Sequence, residues 1–310
     1  MMDAGGVKLF YRDEYVYDVL ESGVRHTHDI LRSRRVRDAL VSSGLATAGD
    51  FHAAPPLSDA QLALVHTPDY LDAIRDPATL ARFLLLDPMH PWDDRLLQPF
   101  LFAAGGTVAA ARSALADGGI AVNLGGGFHH AQADKAEGFC AIADVAIAIR
   151  QLRGDGLLER VLIVDLDYHH GNGNALIFAG DESVFTYSIH QVPWCFIEKT
   201  NNDDVMLPPH ATDAEYLEAL TSSLPAVLER FRPDLAFYLA GSDPFVEDTL
   251  GDALVSEEGM LQRDRFVTRE LRGRGIPMAV VMAGGYGPSS WKIYRNYFSW
   301  LLRTGGEDAA

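Results

Sequence analysis

Four short segments carry most of the side chains able to bind a metal or move a proton: NLGGGFHHA at residues 123–131, DLDYHHGNG at 165–173, AGSDPF at 240–245 and AGGYGP at 283–288. Asp167 and His169 flank Tyr168, and in an extended segment residues two apart point to one side. A carboxylate oxygen and an imidazole nitrogen there can face a single cation. A catalytic zinc keeps three protein ligands and leaves a fourth position for water or substrate, so another segment must supply the third. Asp243 is the candidate, in a Gly-Ser-Asp-Pro turn that would hold its side chain outward. The plainer reading is that DxH is a common spacing and that an Asp after a strand caps a helix.

His129 and His130 follow three glycines and Phe128. Two adjacent imidazoles can supply a base for water and an acid for a leaving amine near neutral pH. Each needs a partner on its far nitrogen. Asp165 suits one of them; Asn172 suits the other, as a neutral partner only. Metal ligation or loop hydrogen bonding is the alternative for this pair. Tyr286, in a Gly-rich turn expected to expose its ring, can donate to a carbonyl oxygen as that atom gains negative charge. A metal, a water, an acid/base pair and an oxyanion donor are the equipment for hydrolysing an amide.

The elements that must position these residues are legible as β-rich runs at 119–124, 160–166, 184–189, 235–240 and 278–283. Helical patterns at 141–152, 216–232 and 259–274 lie between them. Such alternation predicts an α/β fold with a parallel sheet and helices on both faces. Each chemically loaded segment follows a strand, where open parallel sheets bind ligands. No repeat, low-complexity tract or linker divides the sequence, so residues 1–310 are read as one domain.

Composition narrows the classes. With 43 acidic against 26 basic residues the net charge is −17, which argues against nucleic-acid binding and favours a cationic partner. Two cysteines, Cys140 and Cys195, exclude a disulfide framework and point to the cytoplasm. The chain start does not resemble a signal peptide, and no apolar stretch reaches the roughly 18 residues of a membrane span. Neither Gly125–Gly127 nor Gly171–Gly173 has the order of a phosphate loop. Cys140 reads as a buried structural thiol. His26 and His28 precede a basic run at 31–37, read as a solvated face or as a contact for an anion or neighbouring subunit. His66, His90 and His210 have no evident partner. Residues 86–94 suit a rim loop, with Asp93 or Asp94 gripping the substrate backbone.

The segments GGGFHHA, GFCAIADVAIA (138–148), DLDYHHGNG, GSDPFVEDTLG (241–251) and AGGY together resemble, in order, the zinc-dependent histone deacetylase family. LVHTPDYL at 64–71 resembles an early segment of that family. The resemblance covers nearly the whole chain and is closest to class IV and related bacterial deacetylases. It implies a single α/β domain with a central, mainly parallel eight-stranded sheet flanked by helices, a fold shared with arginases. It implies Asp167, His169 and Asp243 as zinc ligands, with Fe2+ or Co2+ also suited to such donors. It further implies His129 and His130 as the catalytic pair, Asp165 behind His129, and Tyr286 as the carbonyl-polarising phenol. A potassium site would draw on Asp165, Asp167, His169 and Ser188. Phe139 would line an acyl-lysine tunnel opposite Trp194, and the Gly138 carbonyl would accept the substrate amide N–H.

One departure bears on mechanism. Many family members have Asp where this chain has Asn172, and losing that charge should lower the pKa of His130. Another excludes the arginase reaction, since Gly171 stands where a second metal would need a ligand. The implied function is a zinc-dependent amidohydrolase that removes an acyl group, acetyl first, from acylated lysine of a protein. Its alternatives are deacylation of a small amine such as an acetylpolyamine or a metabolite, deacylation of long-chain acyl-lysine, and a catalytically silent acyl-lysine scaffold. Neither nucleic acid nor membrane is an expected partner, and self-association is left open.

Overall fold

Alternation of side chains, rather than hydrophobicity alone, explains how the strands sit between two helical layers. The computed structural model describes residues 6–16, 29–87, 89–197 and 201–307. Its strands are β1 (Lys8–Phe10), β2 (Phe51–His52), β3 (Ile120–Asn123), β4 (Val161–Asp165), β5 (Val184–His190), β6 (Asn202–Met206), β7 (Leu235–Leu239) and β8 (Met278–Val281). They form one sheet in the order β2-β1-β3-β8-β7-β4-β5-β6, and every pairing is parallel. The expected eight-stranded, mainly parallel sheet is present, with no antiparallel strand among the described residues.

The helices are α1 (Arg32–Ser42), α2 (Asp59–Leu62), α3 (Pro68–Arg75), α4 (Pro77–Phe83), α5 (Gln98–Asp117), α6 (Asp144–Gly154), α7 (Asn172–Ile177), α8 (Asp213–Arg230), α9 (Glu257–Arg272) and α10 (Ser290–Thr304). Leu162, Val164, Tyr238 and Val280 face one layer, packing with Tyr216, Met260, Val267 and Tyr294 of α8, α9 and α10. Val161, Ile163, Phe237 and Ala279 face the other, with Ala104, Val108, Ile147 and Leu152 of α5 and α6. Helix starts follow local chemistry. Thr212 and Glu215 form a capping box at α8, and Ser256 Oγ accepts from Gly259 N–H at 3.0 Å to cap α9.

Three strands are absent from the sequence reading. β1 and β2 have only three and two residues, and β6 is an edge strand whose sequence, NDDVM, shows no apolar alternation. The membrane expectation also needs correction. Residues Asp94–Asp117, which include α5, are long and apolar enough to cross a bilayer by length and composition. The helix is a core element instead. Ala104, Ala110 and Ala111 are fully buried, and a Cβ on Gly105 would meet the Pro55 carbonyl oxygen at 2.0 Å.

Candidate active site

The four loaded segments follow β3, β8, β7 and β4, which are consecutive neighbours in the sheet. Their loops therefore leave the same edge side by side, and side chains far apart in sequence meet beyond the strand ends.

At the centre, one oxygen each from Asp167 and Asp243 and one nitrogen of His169 lie within 4.8 Å of one another. His169 Nδ1 is 2.9 Å from Asp243 Oδ2 and 3.3 Å from Asp167 Oδ1. Backbone donors hold the other oxygens: Gly284 N–H to Asp167 Oδ2 at 2.6 Å and Tyr168 N–H to Asp243 Oδ1 at 2.9 Å. The extended geometry expected for residues 167–169 is not seen. The chain bends after β4, and His169 N–H donates to Asp167 Oδ1 at 3.0 Å. Nor does Asp243 point outward or cap a helix; it is fully buried, and the next helix begins at Glu257.

Two buried carboxylates converging on one imidazole suit a divalent cation. Burial, with Asp167 alongside, pushes Asp243 up to about 7. Burial opposes charge on His169, yet its bonds to Asp167 and Asp243 lift it to about 10. Both shifts draw protons toward buried carboxylate charge that a divalent cation would offset instead. The donor set is three protein atoms, as an open catalytic zinc site requires.

The tandem histidines take opposite partners. His129 Nδ1 lies 2.8 Å from Asp165 Oδ2, and His130 Nδ1 lies 2.7 Å from Asn172 Oδ1. Burial works against charge on both rings. For His129 the Asp165 and Asp167 carboxylates outweigh burial and lift the imidazole to about 9. For His130 burial, reinforced by its neighbour His129, holds the imidazole well below its ordinary value. One ring is therefore poised as a cation and the other as a neutral base. Asp144 shapes their loop by accepting from Gly127 N–H at 2.8 Å and Phe128 N–H at 2.9 Å.

Tyr286 departs from expectation. Its ring is 8% exposed, set edge-on to His169 at 6.1 Å and 5.9 Å from Phe139. Burial comes from the loop after β8 folding back: Tyr286 N–H donates to Asp248 Oδ2 at 2.7 Å and Thr249 Oγ1 donates to Tyr286 O at 2.5 Å. Trp194 also differs from the wall expected opposite Phe139. It stacks on His130, with centroids 3.9 Å apart and planes at 7°. Both aromatics still line an opening of about 360 Å³ above His169, together with Phe83, Leu85 and Leu250. A second cavity of about 150 Å³ is lined by His129, Tyr286 and Arg32 among other residues. The Gly138 carbonyl accepts from Cys140 Sγ at 3.3 Å, and Cys140 is the buried thiol expected. Ser188 is the register partner of Asp165, but its hydroxyl bonds His190 Nδ1 at 2.9 Å.

Sequence reasoning missed two arginines. Arg263 is fully buried and donates to the carbonyls of Leu166 at 3.1 Å and Gly241 at 2.7 Å, bracing the loops that carry Asp167 and Asp243. An Arg on the apolar stripe Met260–Arg263–Val267–Leu271 of α9 was the available signal. Arg32 corrects the solvated-face reading of residues 31–37. It is buried and donates to Gly285 O at 3.2 Å and to Ala283 O, fastening the Tyr286 loop. His26 and His28 lie outside the described residues.

The weaker candidates resolve locally. His66 is structural, with Nδ1 3.3 Å from Ala133 O and Nε2 accepting from Ala143 N–H at 3.0 Å. His90 packs on Trp92, and His210 Nδ1 is 3.1 Å from Asp252 O. Asp93 caps its own turn by accepting from Arg95 N–H at 2.9 Å. Trp92 is buried rather than on the rim, while Leu85 is 77% exposed. His170, His190 and Asp204 form a second group of metal-ligand types. Trp194 N–H donates to His170 Nδ1 at 3.2 Å, which places the ring proton on Nε2 and occupies the position a metal would need. At Gly171 a Cβ would meet Asp165 Oδ2 at 2.2 Å, so the ligand of a second, arginase-type metal does not fit there.

Comparison with known proteins agrees with this geometry. The histone deacetylase domain family matches residues 26–299. An uncharacterized protein of Picosynechococcus sp. is 37% identical, covering 91% of this chain and 92% of its own. Histone deacetylase 2 of Arabidopsis thaliana is 32% identical over 96% of this chain and 79% of its own. A solved HDAC homolog from Aquifex aeolicus superposes with a TM-score of 0.75 at 28% identity, covering 96% of this chain and 83% of that one. An HDAC homolog complexed with SAHA gives 0.74 with the same identity and coverage. The chain belongs to the histone deacetylase family and is a hydrolytic deacetylase, for which that family implies a divalent metal.

Proposed function

We propose that the chain is a zinc-dependent hydrolase that removes acyl groups, acetyl first, from acylated lysine of a protein. The observation that carries this reading is the imidazole of His130 and the phenol of Tyr286 beside one His/Asp/Asp group, each ring centroid 6.1 Å from that of His169. Asp167, His169 and Asp243 would hold the ion, which when bound supplies Lewis-acid polarisation of the amide carbonyl.

The remaining work belongs to the side chains. Phe139 and Trp194 flank the linear substrate, and the Gly138 carbonyl accepts its amide N–H. His130 takes a proton from the attacking water at Nε2 while a C–O bond forms to the carbonyl carbon. Tyr286 donates to the carbonyl oxygen as charge builds there. The C–N bond then breaks, and the histidine pair returns a proton to the departing amine, leaving a carboxylate and a free amine. The cavity of about 150 Å³ has room for a product the size of acetate, with Arg32 in its wall.

Finer points belong to the same proposal. Leu85, Trp194 and Leu250 line the mouth and are 77%, 42% and 42% exposed, which supports a substrate with flanks to contact, hence a protein lysine or a longer acyl chain. The net charge of −17 supports the second reading, a small acylated polyamine. Asn172 supports placement near class IV. We assign zinc rather than Fe2+ or Co2+, a potassium ion near Asp165 and Ser188, and action in the cytoplasm, in keeping with two unbridged cysteines.

The test is acetate release by the purified protein from acetyl-lysine peptides, acetylpolyamines and long-chain acyl-lysine. Chelation and Tyr286→Phe should each abolish it. A zinc-loaded protein that binds acyl-lysine yet releases no product would make the silent scaffold the correct reading.

A further inference from the structure

The partner of His130 is an amide, and an amide has two unlike ends. A carboxylate in that position would present acceptor oxygens whichever way it turned. Asn172 presents an acceptor in one orientation and a donor in the other, with opposite consequences for the ring. With Oδ1 facing Nδ1, the imidazole proton sits on Nδ1 and Nε2 has a free lone pair. With Nδ2 facing it, the proton is driven to Nε2 and the base is lost. Something other than Asn172 must choose.

Glu137 is placed to do so. Asn172 Nδ2 donates to Glu137 Oε2 at 2.8 Å, on the far side of the amide from His130 Nδ1, which lies 2.7 Å from Oδ1. Gln132 Nε2 donates to the same Oε2 at 3.0 Å, and Lys135 Nζ lies 2.5 Å from Oε1. Partial burial raises the Glu137 pKa, but the bonds from Lys135 and Asn172 outweigh it and hold the carboxyl below its usual value. An ionised carboxylate has no proton to give, so only the NH2 end of Asn172 can face it.

The turn bearing Glu137 is itself rigid. Glu137 N–H donates to Cys140 O at 3.2 Å and Cys140 N–H to Glu137 O at 2.8 Å, across Gly138 and Phe139 at φ 52° and 62°. Glycine is required at 138, where a Cβ would meet His130 Cδ2 at 2.1 Å.

We propose that Glu137 is a positioning residue for catalysis, clamping the Asn172 amide so that His130 carries its proton on Nδ1 and keeps Nε2 free to accept another. Its kinetic consequence rests on the proposed function; the tautomer itself does not. The sequence reading passed over Glu137 because it is one polar residue in a polar loop.

The experiment combines kinetics with nitrogen-15 spectra of histidine-labelled, zinc-loaded protein. Glu137→Ala is expected to lower kcat on an acetyl-lysine peptide about tenfold with KM little changed, the signature of an interaction that acts on the chemical step. Glu137→Gln, whose amide oxygen can still accept from Asn172, is expected to recover most of the rate. In the Asn172→Asp background the sign reverses. Glu137 there faces a second carboxylate, so Glu137→Ala is expected to raise kcat. Spectra should show His130 protonated on Nδ1 in the wild type and as mixed tautomers in Glu137→Ala. A rate loss of the same sign in both backgrounds, or identical His130 tautomers in wild type and Glu137→Ala, overturns the clamp. A wild type without deacetylase activity would refute the proposed reaction and leave the spectra to decide the clamp.

Discussion

His129 and His130 are adjacent and buried, and each is tied through Nδ1 to a residue flanking the loop after β4, Asp165 at the end of the strand and Asn172 at the start of α7, yet they are poised in opposite charge states. Asp165 stabilises an imidazolium on one, and Asn172 leaves the other neutral. The lesson is that burial alone does not set the charge of an imidazole. Burial penalises the cation in both rings, and the carboxylates of Asp165 and Asp167 overcome that penalty only at His129.

Losing one of the two rings should cost the enzyme the most activity. His130→Asn is expected to lower kcat by about 10²–10⁴, the usual range for a general base, and His129→Asn by less. Steady-state kinetics at saturating substrate checks this, and equal losses would erase the distinction between the rings. Asp165→Asn comes next. Without its anion His129 should lose its charge near neutral pH, and kcat should fall roughly 10- to 100-fold, as when a residue orienting a metal-site group is removed.

Giving both rings a carboxylate partner should shift the pH dependence. In Asn172→Asp a carboxylate would favour the His130 imidazolium, so the ring would have to lose that proton before accepting one from water. The acidic limb of kcat should then move about 1 unit to higher pH. Identical acidic limbs in the pH–rate profiles of variant and wild type would show that Asn172 does not keep His130 neutral.

A third histidine gives the smallest effect and serves as a control. His66 is buried with only backbone partners, and burial lowers its pKa from 6.5 to about 4. The folded state binds fewer protons than the unfolded state between those values. Stability from this ring is complete above pH 6.5 and is lost as pH falls through 6.5 toward 4. The loss should be about 1 kcal/mol between pH 8 and pH 5.5. Urea unfolding of wild type and His66→Asn at the two pH values tests it, and an equal drop in both would remove the assignment.

Residue type and order made much of this site legible. Asp167, His169 and Asp243 were named from their place after strands, and the structure brings them together because β4 and β7 are neighbours. The partners of the tandem histidines were also anticipated, because each lies in one short motif. A Gly-rich turn with no inward periodicity predicts an exposed Tyr286; the bonds that fold it back come from Asp248 and Thr249, in another loop. Trp194 was placed opposite Phe139, and its stack on His130 depends on a loop whose path no local pattern specifies.

Residues close together along the chain encode the sheet-forming runs, the chemical inventory and the attachment of that inventory to strand ends. Long-range packing makes α5, apolar enough to span a bilayer, a core helix, sets Arg32 and Arg263 to brace the site loops from inside, and brings Glu137 to Asn172. Those outcomes depend on which buried donor meets which carbonyl or carboxylate across long stretches of chain. A residue's type limits the bonds it can make, and packing selects among them.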